Sequence, residues 1–357
     1  MKNTDKLFEL TEVDAILVIS EKNRLYFTGF ASTFGYLVLL PNNKNVFITD
    51  PRYYEMAQSL ENDGIEVVQI SNGVSAYDAV TAVLKQHKVT DVGYEDTELT
   101  VSEFAALGKG LETFKLLPVG EDINYVRSFK DEQEIAYIKK AQEITDAAFA
   151  QVLEVIRPGM TEKELAVELE YLMAKNGAEG LAFDTIIASG VNTSKPHAHP
   201  TDKPIEIGDA ITMDFGARYH GYCSDMTRTV FLGEPSEEMR KIYNVVLLAQ
   251  KMGINNAYCG MAAKELDTLC REIIKSNGYE DYFTHGTGHS LGIDIHEKPT
   301  ANSRSTDTLS AGQLVTVEPG IYIPGVGGVR IEDMLLFEED GVIDLTSSDK
   351  NIIIIKD

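Results

Sequence analysis

Residues 159–165 read GMTEKEL and residues 260–266 read GMAAKEL, a self-match at an offset of 101 residues. Each copy follows a long stretch with helical spacing of apolar residues and opens a second helix. Thr161 followed by Glu164 has the capping-box pattern that marks a helix start. Each helix pair is succeeded by a loop bearing Gly and His, then by two β-rich runs. These are residues 210–217 with 222–232, and 313–323 with 328–337. The repeated order makes residues 126–357 an α+β domain of two similar halves, each helix–helix–hairpin, related by a pseudo-twofold axis. The preceding residues, 1–125, alternate strand-like and helix-like segments. Residues 15–19, 36–40, 46–49 and 64–70 read as strands, and 52–62 and 75–87 as helices, which predicts a smaller α/β domain. The boundary is expected between Glu121 and Phe129.

The two hairpins carry acidic residues where strands should be apolar. If the first is centred between Tyr219 and His220, Asp214 lies directly opposite Asp225. If the second is centred on Gly325, Glu318 lies opposite Glu332. Asp is a poor strand former, and like charges facing each other across a ladder are destabilising. Related by the pseudo-twofold, the two pairs converge. Four carboxylates in one apolar cavity call for divalent cations. Histidines cluster beside both hairpins: His197 and His199 in PHAHP, and His285, His289 and His296 in the Gly-rich segment 284–297. Such a carboxylate-rich, histidine-poor set favours Mn²⁺, with Co²⁺, Zn²⁺ or Fe²⁺ also compatible. Four carboxylates are used naturally by two ions that share bridging ligands.

Composition excludes several other functions. With 56 acidic and 32 basic residues, the net charge of -24 opposes binding to nucleic acid or to an anionic membrane surface. A hydrophobic fraction of 43% is too high for disorder. No apolar run approaches the ~18 residues of a spanning helix, and the first ten residues lack a secretory core. Three widely spaced cysteines predict neither a disulfide framework nor a thiolate zinc site, which fits a cytoplasmic protein.

The segments MDFGA (213–217), SDMTRT (224–229), HGTGHSLGIDIHE (285–297), VEPGIY (317–322) and GVRIED (328–333) closely resemble the pita-bread metallopeptidases. These comprise prolidase, aminopeptidase P and methionine aminopeptidase. The segment RLYFTGF (24–30) resembles, more weakly, the accessory N-terminal domain of the Xaa-Pro-cleaving branch. The resemblance implies a two-metal exopeptidase that hydrolyses the Xaa-Pro bond, in the first instance a dipeptidase. The alternatives are an aminopeptidase P acting on longer peptides and a catalytically silent binding protein with the same fold. It further implies five metal ligands, Asp214, Asp225, His289, Glu318 and Glu332. Glu318 is also implied as a proton relay, His197 and His296 as catalytic hydrogen-bond donors, and His285 and Arg330 as substrate-side groups. His199 has a less certain counterpart. The implied partners are a proline-containing di- or oligopeptide and a second copy of the chain, with no nucleic acid and no membrane.

Overall fold

The computed structural model describes residues 4–356. It forms two compact units that divide between Arg127 and Ser128.

The first unit is built on a six-stranded sheet in the order Glu66–Gln69, Val46–Thr49, Tyr36–Leu39, Ala15–Val18, Asp91–Tyr94, Lys115–Pro118. The central strands are apolar throughout, and all four residues of Ala15–Val18 and of Val46–Thr49 are buried. Continuous apolar runs of this kind belong to strands covered on both faces. Pairing is antiparallel in the middle and parallel toward both edges. The expected helix over 52–62 differs in detail: Pro51–Ala57 is α-helical and Gln58–Asp63 is a 3-10 helix. The run Glu61–Asn–Asp ending at Gly64 (φ +78°) favours a tight terminal turn over another α-helical one.

The second unit contains the duplication. Helices Glu132–Val152 and Glu162–Lys175 open the first half, and Glu237–Asn256 and Ala263–Ser276 open the second. The two GM segments make matching backbone contacts. The Gly159 amide donates to the Ile205 carbonyl at 2.9 Å, and the Gly260 amide to the Leu309 carbonyl at 2.6 Å. The Ile205 and Leu309 amides return to the Met160 and Met261 carbonyls at 2.8 and 2.9 Å. Both glycines have positive φ, which other residues adopt only with strain. One difference is local: Thr161 and Glu164 form the capping box, whereas Ala262 gives its helix no side-chain cap.

In the first half, strand Ala210–Phe215 lies between Ile186–Ser189 and Met226–Leu232. The hairpin tip departs from the sequence expectation. His220 and Gly221 both have positive φ (48° and 80°), as a two-residue type I′ turn requires, so the centre lies one residue later. Asp214 therefore pairs with Thr227, and Asp225 is its diagonal neighbour. Moving the centre by one residue moves each partner by two, and a shift of two keeps side chains on the same face. In the second half, Val317 pairs with Asp333 and Gly320 with Arg330. That single register puts Glu318 across from Glu332, in the gap between the two ladders. The two apolar clusters of this unit pack each helix pair onto its own hairpin, with Met213, Phe215 and Val230 in one core and Val317, Val329 and Leu335 in the other.

The three cysteines are unpaired. Among the described residues, no helix is long and apolar enough to cross a membrane.

Candidate metal centre

Asp214 projects from strand Ala210–Phe215, and His289 from the short strand Gly288–Ser290. Asp225, Glu318 and Glu332 occupy the gaps between successive strands, where the backbone leaves its own ladder. The Glu318 amide donates instead to the Thr287 carbonyl (2.8 Å), and the Glu332 amide to the Thr227 carbonyl (3.1 Å). These cross-links draw the two hairpins and the histidine loop together. A Cβ at Gly288 would stand 1.8 Å from the Thr316 carbonyl oxygen, so only glycine allows the loop this close to the Glu318 strand.

The imidazole of His289 defines the centre. Its Nδ1–H donates to the Ser290 carbonyl at 3.1 Å, which leaves the Nε2 lone pair facing inward. Nε2 lies 3.6 Å from both Asp225 Oδ2 and Glu318 Oε1. Burial, and then the neighbouring His296, lower the His289 pKa to about 4, so the ring is neutral at pH 7. At 3.6 Å neither contact is a hydrogen bond, so Nε2 has no protein partner for its lone pair. Ligand atoms of Asp225, His289 and Glu332 lie within 4.8 Å of one another. Oδ1 of Asp214 and Oδ1 of Asp225 are buried without a hydrogen-bond partner. Such orphaned acceptors are costly unless something positive meets them. Burial and then the neighbouring carboxylates push Asp225 and Glu318 well above the usual carboxylate range. Burial, with Asp214 next, pushes Glu332 up to about 8. The donor set, four carboxylates and one imidazole nitrogen, is chemically suited to a divalent cation.

One cation of the protein is already present. Arg330 is buried and donates to Asp214 Oδ2 (2.6 Å), Thr227 Oγ1 (3.0 Å), the Tyr322 hydroxyl (2.9 Å) and the Pro196 carbonyl (3.3 Å). Burial alone would lower its pKa, but Tyr322 and Asp214 outweigh it and the group stays charged. A single guanidinium offsets one of the four carboxylates. The hydrogen bonds continue outward. The Tyr322 hydroxyl, which accepts from Arg330, donates to His285 Nε2 at 2.8 Å, and His285 Nδ1–H donates to the Gly286 carbonyl at 2.8 Å. Burial, followed by Arg330, lowers His285 to about 4, in keeping with that neutral tautomer. His285 and Arg330 thus line the cavity with their polar atoms already engaged inside the protein.

The centre opens into a cavity of about 840 Å³ lined by His197, His285, His289, His296 and all four carboxylates. The imidazoles of His197 and His296 are exposed there, and the His296 ring lies edge-on to His289, 4.4 Å between centroids. His199 is exposed but lies outside the lining.

Some groups that line the cavity or support its lining residues have little or no signature in the sequence. Tyr322 and Thr227 stand inside motifs already singled out, but nothing local distinguishes them from strand residues. Arg271 lines the cavity with its guanidinium held by both oxygens of Asp267 and by the Phe283 and His285 carbonyls. Arg304 is exposed at the lining, and its guanidinium has no partner among the described residues.

Comparison with known proteins agrees with this architecture. The profile of metallopeptidase family M24 matches residues 136–339, and that of the creatinase/prolidase N-terminal domain matches residues 1–129. A solved Xaa-Pro dipeptidase from Bacillus anthracis is 41% identical with a TM-score of 0.94, covering 99% of this chain and 98% of its own. An X-Pro aminopeptidase from Thermotoga maritima is 37% identical with a TM-score of 0.92, covering 98% and 100%. The Xaa-Pro dipeptidase of Pyrococcus furiosus is 38% identical over 348 residues, 98% of this chain and 97% of the relative. With its paired hairpins, its carboxylate–histidine centre and these full-length matches, the chain belongs to metallopeptidase family M24 and carries the creatinase/prolidase N-terminal domain ahead of the catalytic unit.

Proposed function

We propose that this protein is a prolidase-type exopeptidase that holds two divalent ions, manganese by preference, and hydrolyses Xaa-Pro dipeptides. The observation that carries the reading is the inward Nε2 of His289 facing Asp225 and Glu318, beside two orphaned carboxylate oxygens. Asp214, Asp225, His289, Glu318 and Glu332 would hold the metal, and the relatives named for Xaa-Pro hydrolysis support the substrate class. Bound divalent metal supplies Lewis acidity, which acidifies water and polarises the scissile carbonyl.

The chain's own residues do the rest. Glu318 accepts a proton at its carboxylate and returns it to the leaving secondary amine of proline. His197 and His296 present uncommitted imidazole N–H groups to the oxygen on which negative charge develops. Arg330 holds Asp214 in place, and through Tyr322 it keeps His285 neutral. Arg304, the lining cation without a partner, suits the free carboxylate of a short peptide. The unpaired cysteines suit a reducing cytoplasm, and the family resemblance supports a homodimer.

The test is a panel of Leu-Pro and longer Xaa-Pro-Yaa peptides assayed with Mn²⁺ supplied. Dipeptide turnover should dominate. Cleavage of tripeptides alone would transfer the protein to the aminopeptidase P class, and no hydrolysis with either Mn²⁺ or Co²⁺ would make it a silent binding protein. Arg304→Ala should raise KM for the dipeptide about tenfold, one lost charge-assisted contact of about 1.4 kcal/mol, with kcat little changed. An unaltered KM would remove Arg304 from carboxylate recognition.

A further inference from the structure

The segment bearing His197 has little regular structure. It leaves the sheet at Ser189, makes a 3-10 turn over Gly190–Ser194 and comes back against the start of helix Glu162–Lys175 at Thr201, whose carbonyl accepts from the Lys163 amide at 3.1 Å. Both of its ends are held by one side chain that the chemistry above does not use. Glu162, the first residue of helix Glu162–Lys175, is fully buried. Its Oε1 accepts from the Ser189 amide (2.7 Å), the Ser189 hydroxyl (2.9 Å) and Asn192 Nδ2 (3.0 Å). Its Oε2 accepts from the Thr201 amide (3.0 Å) and hydroxyl (2.5 Å). One oxygen grips the loop where it departs, and the other where it comes back. Burial alone would raise the pKa of this carboxyl, but hydrogen bonds from Thr201, Asn192 and Ser189 outweigh it and hold the group below its usual range. It is therefore an anion at the N-terminus of its helix, where the helix dipole also favours negative charge.

The duplication isolates what is special here. The matching position of the second half is Ala263, also buried, so the helix start itself does not require a carboxylate. The second half holds its histidine loop by other means, with Asp267 Oδ1 accepting from the Thr287 amide and hydroxyl at 3.1 and 3.0 Å. Between its two ends, the His197 loop rests on the opposite hairpin. Thr193 Oγ1 accepts from the Gly328 amide at 2.8 Å, and the Pro196 carbonyl accepts from Arg330. Pro196 immediately precedes His197.

We propose that Glu162 is a positioning residue for the reaction, its carboxylate charge clamping the two ends of the loop so that His197 is held over the carboxylate centre. The proposal rests on the reading of His197 as a hydrogen-bond donor to the reacting group. Glutamine has the same shape, but its amide NH₂ cannot accept and would confront donors on one side of the clamp.

The test uses the full-length metal-loaded enzyme. Glu162→Gln should lower kcat by roughly 10- to 100-fold, the cost of a misplaced group near 1 Å, with KM within a few-fold. Placed on His197→Ala, the same change should alter kcat by less than about twofold, because residues acting through one another are not additive. Hydrogen exchange should quicken at the amides of residues 189–201, with or without substrate. Thr201→Val, which removes one donor and keeps the fold's bulk, should shift exchange and kcat in the same direction by less. Fully additive losses in the double variant, or unchanged exchange with wild-type kcat in Glu162→Gln, would overturn the proposal. Wild-type kcat in His197→Ala would instead remove the reading of His197 and the positioning role with it; faster exchange in Glu162→Gln would then show a clamp that serves stability alone.

Discussion

Replacing Asp225 by Asn should reduce kcat/KM for Leu-Pro by roughly 10³-fold or more, the equivalent of losing several kcal/mol of metal-derived charge stabilisation. The carboxylate is 4% exposed, and Oδ2 faces His289 Nε2 while Oδ1 has no protein partner. An amide keeps the shape and removes the negative charge at the point where the two hairpins meet. The same substitution has the opposite effect on the metal-free fold. It deletes one member of a cluster of mutually repelling buried carboxylates, so the metal-free Tm should be unchanged or higher. Metal should then raise Tm by less than it does in the wild type. Peptide turnover, metal content by elemental analysis and thermal melts with and without Mn²⁺ check the three parts. Near-wild-type turnover at equal metal would remove Asp225 from the centre.

Stripping the metal should make the catalytic unit progressively less stable from pH 7 to pH 9. The sign follows from Glu332, whose folded pKa is raised to about 8. A group raised on folding binds its proton more tightly in the native state. Its stabilisation is complete below its ordinary pKa and disappears as pH rises through the folded value. Asp225 and Glu318, also raised, act in the same direction. His285 and His289, lowered to about 4, are neutral in the folded chain, and the unfolded imidazoles lose their remaining protons just above pH 7, so they oppose the slope only weakly and only at its start. Each raised carboxyl removes at most about 1.4 kcal/mol per pH unit, so the Tm of this unit should fall on the order of 5–10 °C. Saturating Mn²⁺ should flatten or reverse the trend, since the cation takes the place of the protons. Titration calorimetry in buffers of different ionisation enthalpy should then register proton release on metal uptake at pH 7. A metal-free melt that rises between pH 7 and 9 would contradict the buried, protonated state of these groups.

Much of the centre was legible in the chain because its signals are local. Acidic residues inside apolar strand patterns conflict with strand propensity, and that conflict is visible without coordinates. The Glu318–Glu332 opposition followed from the Gly-rich turn around Gly325, whose centre lies where the sequence puts it. The Asp214 partner in the structure lies two residues beyond the expected Asp225 because His220 accepts a positive φ, which a non-glycine residue rarely does. A shift of two leaves both side chains on one face, so the pairing differs and the composition of the cavity does not.

The histidines mark where local information ends. His197 and His199 stand two residues apart in PHAHP, yet only His197 lines the cavity. His285 and His289 share a glycine-rich segment, yet Tyr322 and the Gly286 carbonyl engage both nitrogens of the first, while Nε2 of the second faces carboxylates. The amino-acid sequence by itself determined the duplication, the two-unit order, the helix starts and the residue types that converge, since periodic burial, capping and turn chemistry act over a few residues. Only the tertiary structure decided which polar atoms are committed and which are free. Arg330 meets an aspartate 116 positions away, and Glu162 ties down both ends of a loop that begins 27 residues later. A hydrogen bond depends on distances of a few tenths of an ångström and on angle. Those are set by the packing of whole helices and hairpins against one another.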